Sequence, residues 1–132
     1  MERRAIVTGC IFLLPIALAC TDPRARPVPP VVQLSFAPGT IVTSPDTLDG
    51  SLYAFDEDGL QTLTLRAVSA DGRLEVDSTI PLAGFPEQTR SMRFFIPPGV
   101  PDNTRVTIVV TVLDFAGFQT TDSTIFATQL TP

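Results

Sequence analysis

The amino-acid sequence predicts an all-β protein in which a β-sandwich of seven strands follows a leader and a proline-rich linker. From Val31 onward, short runs rich in β-branched and aromatic residues are separated by Gly, Pro or Asp roughly every 8 to 14 residues. No segment of useful length shows the 3.6-residue apolar period of a helix. A region of about 100 residues with this pattern is typical of a two-sheet sandwich.

Residues 1–19 have the three parts of an export signal. Arg3 and Arg4 form a positively charged start, an apolar run follows, and Ala17-Leu18-Ala19 supplies the small residues of a cleavage site. We therefore expect this segment to be a signal peptide that the mature protein lacks.

Cys20 stands immediately after that cleavage site. A cysteine in this position makes the segment resemble a bacterial lipoprotein signal, in which the new N-terminal cysteine carries the lipid. The resemblance implies that Cys20 is acylated and that the protein is anchored in a membrane of the cell envelope, on its extracytoplasmic side.

Two other outcomes for the leader stay open. The same Ala-Leu-Ala site is acceptable for ordinary secretion, in which case the protein is secreted without a lipid on Cys20. Alternatively, the apolar run is retained as an anchor. Pro15 disfavours that outcome, because it interrupts a run of about sixteen residues where about 20 are needed to cross the hydrocarbon core.

Residues 20–30 combine Cys20 with a linker. Four prolines lie between positions 21 and 30, and they block both helical and sheet hydrogen bonding. In the polyproline II conformation these ten residues would reach roughly 30 Å. We therefore expect a semi-rigid tether between a lipid and a folded domain.

The charge of the chain argues against nucleic acid as a partner. The whole sequence carries a net charge of −5. Without Glu2, Arg3 and Arg4 of the leader, 13 acidic and 7 basic residues are left, a charge near −6. Nucleic-acid binding requires clustered positive charge. Cleavage also leaves Cys20 as the only thiol, so an intramolecular disulfide is impossible and the core alone must stabilise the domain.

We predict strands over residues 31–36, 51–56, 60–68, 73–80, 88–96, 104–114 and 118–127, within a domain that spans 31–132. Strand 104–114 alternates most regularly, so one of its faces is expected in the core and the other outside. The expected inward residues are Val106, Ile108, Val110 and Val112, and the outward ones are Thr107, Val109, Thr111 and Leu113. Inward pairs expected from the other strands are Leu52 and Ala54, Leu63 and Leu65, Leu74 and Val76, and Phe94 and Ile96. Asp71-Gly72 is predicted to form a two-residue hairpin turn.

Seven strands in about 100 residues are the signature of an immunoglobulin-like sandwich. The segment Ala54-Phe55-Asp56-Glu57-Asp58-Gly59 is echoed by Val112-Leu113-Asp114-Phe115-Ala116-Gly117, and each is a strand that ends in Asp-x-x-Gly. With this repeated strand and turn, residues 31–130 resemble the bacterial Ig-like domains of cell-surface proteins. The resemblance implies that Asp56 and Asp114 lie in loops at the same end of the sandwich.

A cluster of Asp56, Asp58 and Asp114 at one end is a candidate calcium site, because calcium takes 6 to 8 oxygen ligands. The simpler interpretation, which we favour, is that each carboxylate accepts backbone N–H groups of its own turn. The chain has no Asp-x-Asp-x-Asp-Gly calcium loop. We therefore assign no metal and no cofactor.

The same end is expected to gather Phe85, Phe115 and Phe118. These aromatic side chains could form a contact patch. They could equally plug the end of the core, and we favour the plug. Because the first strand begins here, the linker should leave from this end and turn it towards the membrane. The loops at 39–50, 69–73 and 97–103 then face outward.

Catalytic arrangements are scarce in this composition. The chain has no His and no Lys, which excludes a Ser-His-Asp triad, a Ser-Lys pair and a Schiff base, and zinc or copper sites built on histidine. No glycine-rich phosphate loop is present. A carboxylate pair could still catalyse hydrolysis, but it would need a cleft.

We therefore expect no enzyme, but a membrane-tethered Ig-like lipoprotein that acts as a structural or interaction module at the bacterial cell envelope. Its partners would be the membrane, through the lipid, and an envelope protein or polysaccharide. The alternative is a secreted carbohydrate-associated accessory domain or a weak carboxylate-based hydrolase. The absence of Trp and the single residue Tyr53 disfavour sugar binding, which relies on aromatic platforms.

Overall fold

The computed structural model describes residues 28–129. The predicted signal peptide, Cys20 and the start of the linker lie outside the described residues, as do positions 130–132. The described part is all-β and has eight strands: β1 (Val31–Phe36), β2 (Val42–Thr43), β3 (Asp46–Phe55), β4 (Leu60–Ser69), β5 (Glu75–Pro81), β6 (Glu87–Ile96), β7 (Arg105–Asp114) and β8 (Gln119–Gln129). The all-β prediction is confirmed.

The strands form two sheets that face each other as a sandwich. One sheet has the order β1-β3-β6, and the other has the order β2-β8-β7-β4-β5. All neighbours are antiparallel except β2 and β8, which run parallel over two residues. Residues 28–129 contain no helix long and apolar enough to span a bilayer.

Strand β7 forms the centre of the core. Its four predicted inward residues, Val106 to Val112 in steps of two, are fully buried, and the residues between them are half-buried. The predicted period of two is therefore confirmed. The other inward predictions hold for Leu52, Ala54, Leu63, Leu74, Phe94 and Ile96, which are buried. Leu65 and Val76 are only half-buried and pack at the margin of the core.

The strands depart from the prediction chiefly at the start of β3 and by one additional strand, while the other boundaries agree within two residues. Strand β3 begins at Asp46 instead of residue 51, because Asp46–Gly50 pair with the second half of β6. The segment has weak intrinsic strand propensity, but Leu48 anchors it in the core with 3% exposure. The eighth strand, β2, was not predicted. Its two residues are held by pairing with the end of β8 and by the burial of Val42.

The turn between β4 and β5 is longer than predicted. The prediction of a two-residue turn at Asp71-Gly72 is wrong. The Ser69 N–H donates to the Leu74 carbonyl at 3.0 Å, so the loop runs over residues 70–73. The Ser69 hydroxyl donates to Asp71 at 2.6 Å and accepts the Leu74 N–H at 2.9 Å. The hydrogen bonds of this buried hydroxyl stabilise a four-residue loop, which the Asp71-Gly72 pair alone does not indicate.

The burial of β7 gives a direct stability test. We expect Val110→Asp to lower the free energy of unfolding by about 3 kcal/mol or more, because it places a carboxylate without a partner in the core. Thr111→Asp should cost about 1 kcal/mol, since Thr111 is half-buried and loses mainly its 2.9 Å contact with the Thr121 hydroxyl. Urea unfolding of both variants measures the difference. Equal losses would contradict the assignment of β7's inward face.

Candidate functional site

Three loops meet at the end of the sandwich where the described chain begins. They are the loops at 56–59, 82–86 and 115–118, and Val31, the first residue of β1, pairs with Phe55 beside them. Backbone hydrogen bonds join the loops. Asp56 N–H donates to the Pro86 carbonyl at 2.8 Å, Leu60 N–H to Phe85 at 3.0 Å, and Phe115 N–H to Gly59 at 3.4 Å. We call this end the tip.

Glycine is required where two of these loops touch. Gly59 has a φ of +98°, and a Cβ atom at this position would lie 2.7 Å from the Gly84 carbonyl oxygen. Both the backbone conformation and the close approach therefore exclude a side chain. Gly84 in turn leaves room for the Phe115 ring, which would lie 3.3 Å from a Cβ atom on Gly84. The tip is consequently a rigid unit, not three independent loops.

The strand alternation directs two acidic residues into the tip. Asp114 continues the inward series of β7, and Asp56 continues the series of Leu52 and Ala54. Their exposed fractions are 0% and 4%. The two predicted residues therefore lie together at the same end, while the third, Asp58, is exposed on the surface.

Each buried carboxylate accepts a hydrogen bond from its own turn. An Asp56 carboxylate oxygen accepts the Asp58 N–H at 2.8 Å, and Asp114 Oδ1 accepts the Phe118 N–H at 2.8 Å. This is the turn-forming role predicted from the sequence, and it is confirmed. Within the described range, no three Asp, Glu, His or Cys side chains come together in a way that could hold a metal ion.

The pairing of Asp56 with Asp114 has an electrostatic cost. Burial raises the pKa of Asp56 above its ordinary value, the Asp58 N–H partly offsets this, and the Asp114 carboxylate raises the pKa again. Asp114 Oδ2 is buried, and none of residues 28–129 donates a hydrogen bond to it. When Asp56 is protonated, its carboxyl group can donate a hydrogen bond to the Asp114 carboxylate, whose Oδ2 otherwise has no donor in this part of the chain. Burial and the neighbouring Asp114 carboxylate therefore both favour the protonated form of Asp56.

The aromatic residues of the tip do not plug the core. Phe85, Phe115 and Phe118 are 58%, 59% and 38% exposed, so the favoured prediction of a plug is wrong. The core at this end is closed instead by Leu60 and Leu82, which are buried because they turn inward beside the loops. The three phenylalanines are left on the surface, as in the contact-patch alternative.

Further exposed apolar residues extend this surface. Phe55 faces outward because it alternates with the buried Ala54, and it lines a shallow cavity of about 160 Å³ with Val28 and Val31. We call the whole set the apolar tip surface: Val28, Val31, Phe55, Phe85, Phe115 and Phe118. Val28, Val31 and Phe55 were not predicted from the sequence, although the alternation around Ala54 indicates that Phe55 faces outward.

No protein-family model matches the chain, and no curated protein matches it. Two solved structures are similar at low identity. The sporulation control protein Spo0M from Bacillus subtilis has 14% identity and a TM-score of 0.48, with 77% of this chain and 50% of that chain covered. A Niemann-Pick type C2 protein from the Japanese carpenter ant has 13% identity and a TM-score of 0.43, with 76% and 89% covered. This chain thus spans half the length of Spo0M. At these values neither likeness bears on function.

The carboxyl pair predicts an unusual dependence of stability on pH. Because the pKa of Asp56 is raised, the folded protein binds this proton more tightly than the unfolded chain. The resulting stabilisation is lost as the pH rises from about 4 through the raised pKa. Asp56→Asn keeps a donor towards Asp114 and carries no charge. We expect this variant to match the wild type near about pH 3.5 and to be the more stable protein at about pH 7.

Urea unfolding at the two pH values measures this difference. Glu57→Gln is the matched control, because Glu57 lies on the same loop but is exposed, and exposed changes alter stability by about 0.5 kcal/mol at most. If Asp56→Asn were less stable than the wild type at both pH values, Asp56 would be needed as an anion, and the interpretation that its surroundings favour the protonated form would be wrong.

Calcium should leave the domain unchanged. One oxygen each of Asp56 and Asp114 is already occupied by a backbone N–H, and two buried carboxylates fall far short of the 6 to 8 oxygens that calcium takes. We expect residues 28–132 to unfold at the same temperature in excess calcium and in chelator. A rise of several degrees in calcium that disappears in Asp114→Asn would instead identify a metal site.

Proposed function

We propose that the protein is a lipoprotein of the bacterial cell envelope, tethered by an acylated Cys20, whose β-sandwich is a structural or interaction module and not an enzyme. One observation of the structure carries this proposal most strongly. The end of the sandwich where the linker enters is a solvent-exposed apolar surface on hydrogen-bonded loops. Its buried carboxylates Asp56 and Asp114 are 4% and 0% exposed, and the cavity of about 160 Å³ beside Asp56 is shallow. Such a surface suits contact with another body more than conversion of a substrate.

The strand order supports an immunoglobulin-like assignment of the domain. In that fold strands A, B and E share one sheet, and strands G, F and C share the other. With β1, β3 and β6 as A, B and E, and with β8, β7 and β4 as G, F and C, the observed order corresponds. Strand β5 then extends the second sheet next to C, and β2 adds two residues beside G. Ig-like sandwiches commonly present loops and sheet edges to partners.

The burial of the acidic pair supports a role without catalysis. A glycoside hydrolase needs two carboxyl groups that flank a bound sugar, about 5 to 9.5 Å apart and accessible to it. Asp56 and Asp114 are 4% and 0% exposed, so a substrate cannot reach between them. Their hydrogen bonds hold the turns at 56–59 and 115–118 instead, and through them the shape of the tip.

The opposite end of the sandwich is the surface we propose for an envelope partner. With the tip turned towards the membrane, the loops at 70–73 and 97–104 face away from it. These loops are well ordered by side chains. The Ser44 hydroxyl donates to the Pro97 carbonyl at 2.6 Å and accepts the Val100 N–H at 3.1 Å, and the Thr128 hydroxyl donates to Pro101 at 2.6 Å. A preorganised end of this kind binds a protein or polysaccharide with little ordering cost.

Acylation of Cys20 is the experiment that tests the tether. We expect metabolic labelling with palmitate to label the wild type and to be lost in Cys20→Ser. Cys10→Ser is the matched control, because Cys10 lies inside the segment 1–19 that cleavage removes, and it should keep the label. Absence of label from the wild type, or its persistence in Cys20→Ser, would contradict the lipoprotein assignment.

A further inference from the structure

We propose that the apolar tip surface itself lies against the lipid bilayer, so that the protein contacts its membrane twice, through the acyl chain on Cys20 and through the tip. This inference rests on the proposed lipoprotein function and adds an orientation to it. It places the domain upright with the three loops in the membrane interface, instead of letting it move freely at the end of its linker.

The distribution of exposed apolar side chains is the first argument. Nine large hydrophobic residues are exposed in the part of the chain that the structure describes, and six of them form the apolar tip surface. The other three, Ile41, Phe95 and Ile125, lie on different elements towards the opposite end: Ile41 precedes β2, Phe95 pairs with Thr47, and Ile125 pairs with Thr107. Single exposed apolar residues need no explanation, but a concentration of them at one end marks a contact surface.

The rigidity of the tip is the second argument. The loops that carry Phe85, Phe115 and Phe118 are joined by backbone hydrogen bonds and by the contact of Gly59 with Gly84. The loops are therefore already ordered before any contact, and they hold the aromatic side chains in place. Insertion of these side chains consequently carries little additional loss of conformational entropy.

The length of the tether identifies the occupant of this surface. Val28 follows Cys20 by eight residues, and eight residues span less than about 30 Å even when fully extended. The eleven residues of β8 are roughly 36 Å long. An acylated Cys20 therefore keeps the tip within about 30 Å of the bilayer, while the opposite end of the sandwich is a further strand length away from the point of attachment. A tether this short also keeps the local concentration of lipid at the tip high.

The charge of the tip indicates which lipid headgroups it can approach. Glu57 and Asp58 are exposed beside Phe55, and Glu87 follows the loop that carries Phe85. Anionic headgroups would repel these carboxylates. We therefore infer a bilayer surface rich in zwitterionic headgroups, in which aromatic side chains occupy the interface.

Tryptophan substitution tests the contact directly, because the chain contains no Trp. Phe115→Trp and Phe85→Trp place a single fluorophore in the tip. Phe95→Trp is the matched control, since Phe95 is 62% exposed but pairs with Thr47 near the opposite end of the sandwich. Each mature chain, residues 20–132, is attached to phosphatidylcholine vesicles that contain brominated acyl chains, which quench tryptophan on contact.

Two attachments separate this inference from the lipoprotein assignment. In the first, the chain carries the acyl group that cells place on Cys20. In the second, the unacylated Cys20 thiol, the only thiol of the mature chain, is coupled to a maleimide lipid. With the second attachment, contact between the tip and the bilayer can be measured even if cells do not acylate Cys20. Failure of acylation and failure of the tip to meet the membrane are therefore distinguishable.

We expect quenching of the two tip fluorophores to exceed that of the Phe95→Trp control at least about twofold, and to weaken when anionic lipid is added. Two tip positions are used so that, if one variant folds poorly, the other still reports on the contact. Equal quenching at the tip and at position 95 would overturn the inference. A blue shift of the tip fluorophores without bromine quenching would also overturn it, because the tip would then be covered by protein, such as a second copy of the chain.

Discussion

The alternation of β7 between two environments is the constraint on which the rest of the structure depends. This strand lies between β8 and β4, and its inward side chains are fully buried from Val106 to Val112. A shift of one residue would exchange these with Thr107, Val109, Thr111 and Leu113, so the register is strongly specified. Residues 28–129 contain no cysteine, so no disulfide lies within this part of the chain, and the burial of this apolar row supplies its central stabilisation.

The same alternation produces the unusual composition of the tip. Two residues beyond Val112, the inward position is occupied by Asp114, and two beyond Ala54 it is occupied by Asp56. The outward positions next to them are Phe55 and Phe115. Acidic groups are therefore buried and aromatic groups exposed, the reverse of the usual distribution. The buried carboxylates order the turns through their hydrogen bonds, and the ordered turns present the aromatic surface.

The two sheets are joined differently along their two sides. On one side, the Leu34 N–H on the outer edge of β1 donates to the Asp122 carboxylate of β8 at 2.8 Å, and Phe36 and Phe126 meet edge to face with centroids 4.9 Å apart. This closes an edge that would otherwise be open to pairing with another chain. On the other side, between β6 and the strands β4 and β5, a surface groove remains, and Arg90 lines it together with Leu65 and Ile80.

Much of this protein was determined by local sequence. The seven predicted strands and the inward face of β7 follow from a period of two and from turn residues, because these signals depend only on near neighbours in the chain. The placement of Asp56 and Asp114 at one end was implied by the resemblance to Ig-like domains, because it depends on the order of the strands. The predictions of an export signal and of a lipid on Cys20 likewise rest on the sequence alone. Only the tertiary structure decided the start of β3, the existence of β2 and the loop at 70–73, since each depends on hydrogen bonds to distant or buried partners. It also decided that Phe85, Phe115 and Phe118 are exposed. A phenylalanine in a loop is equally compatible with a plug and with a surface, and the choice was made by Leu60 and Leu82, which already fill the end of the core.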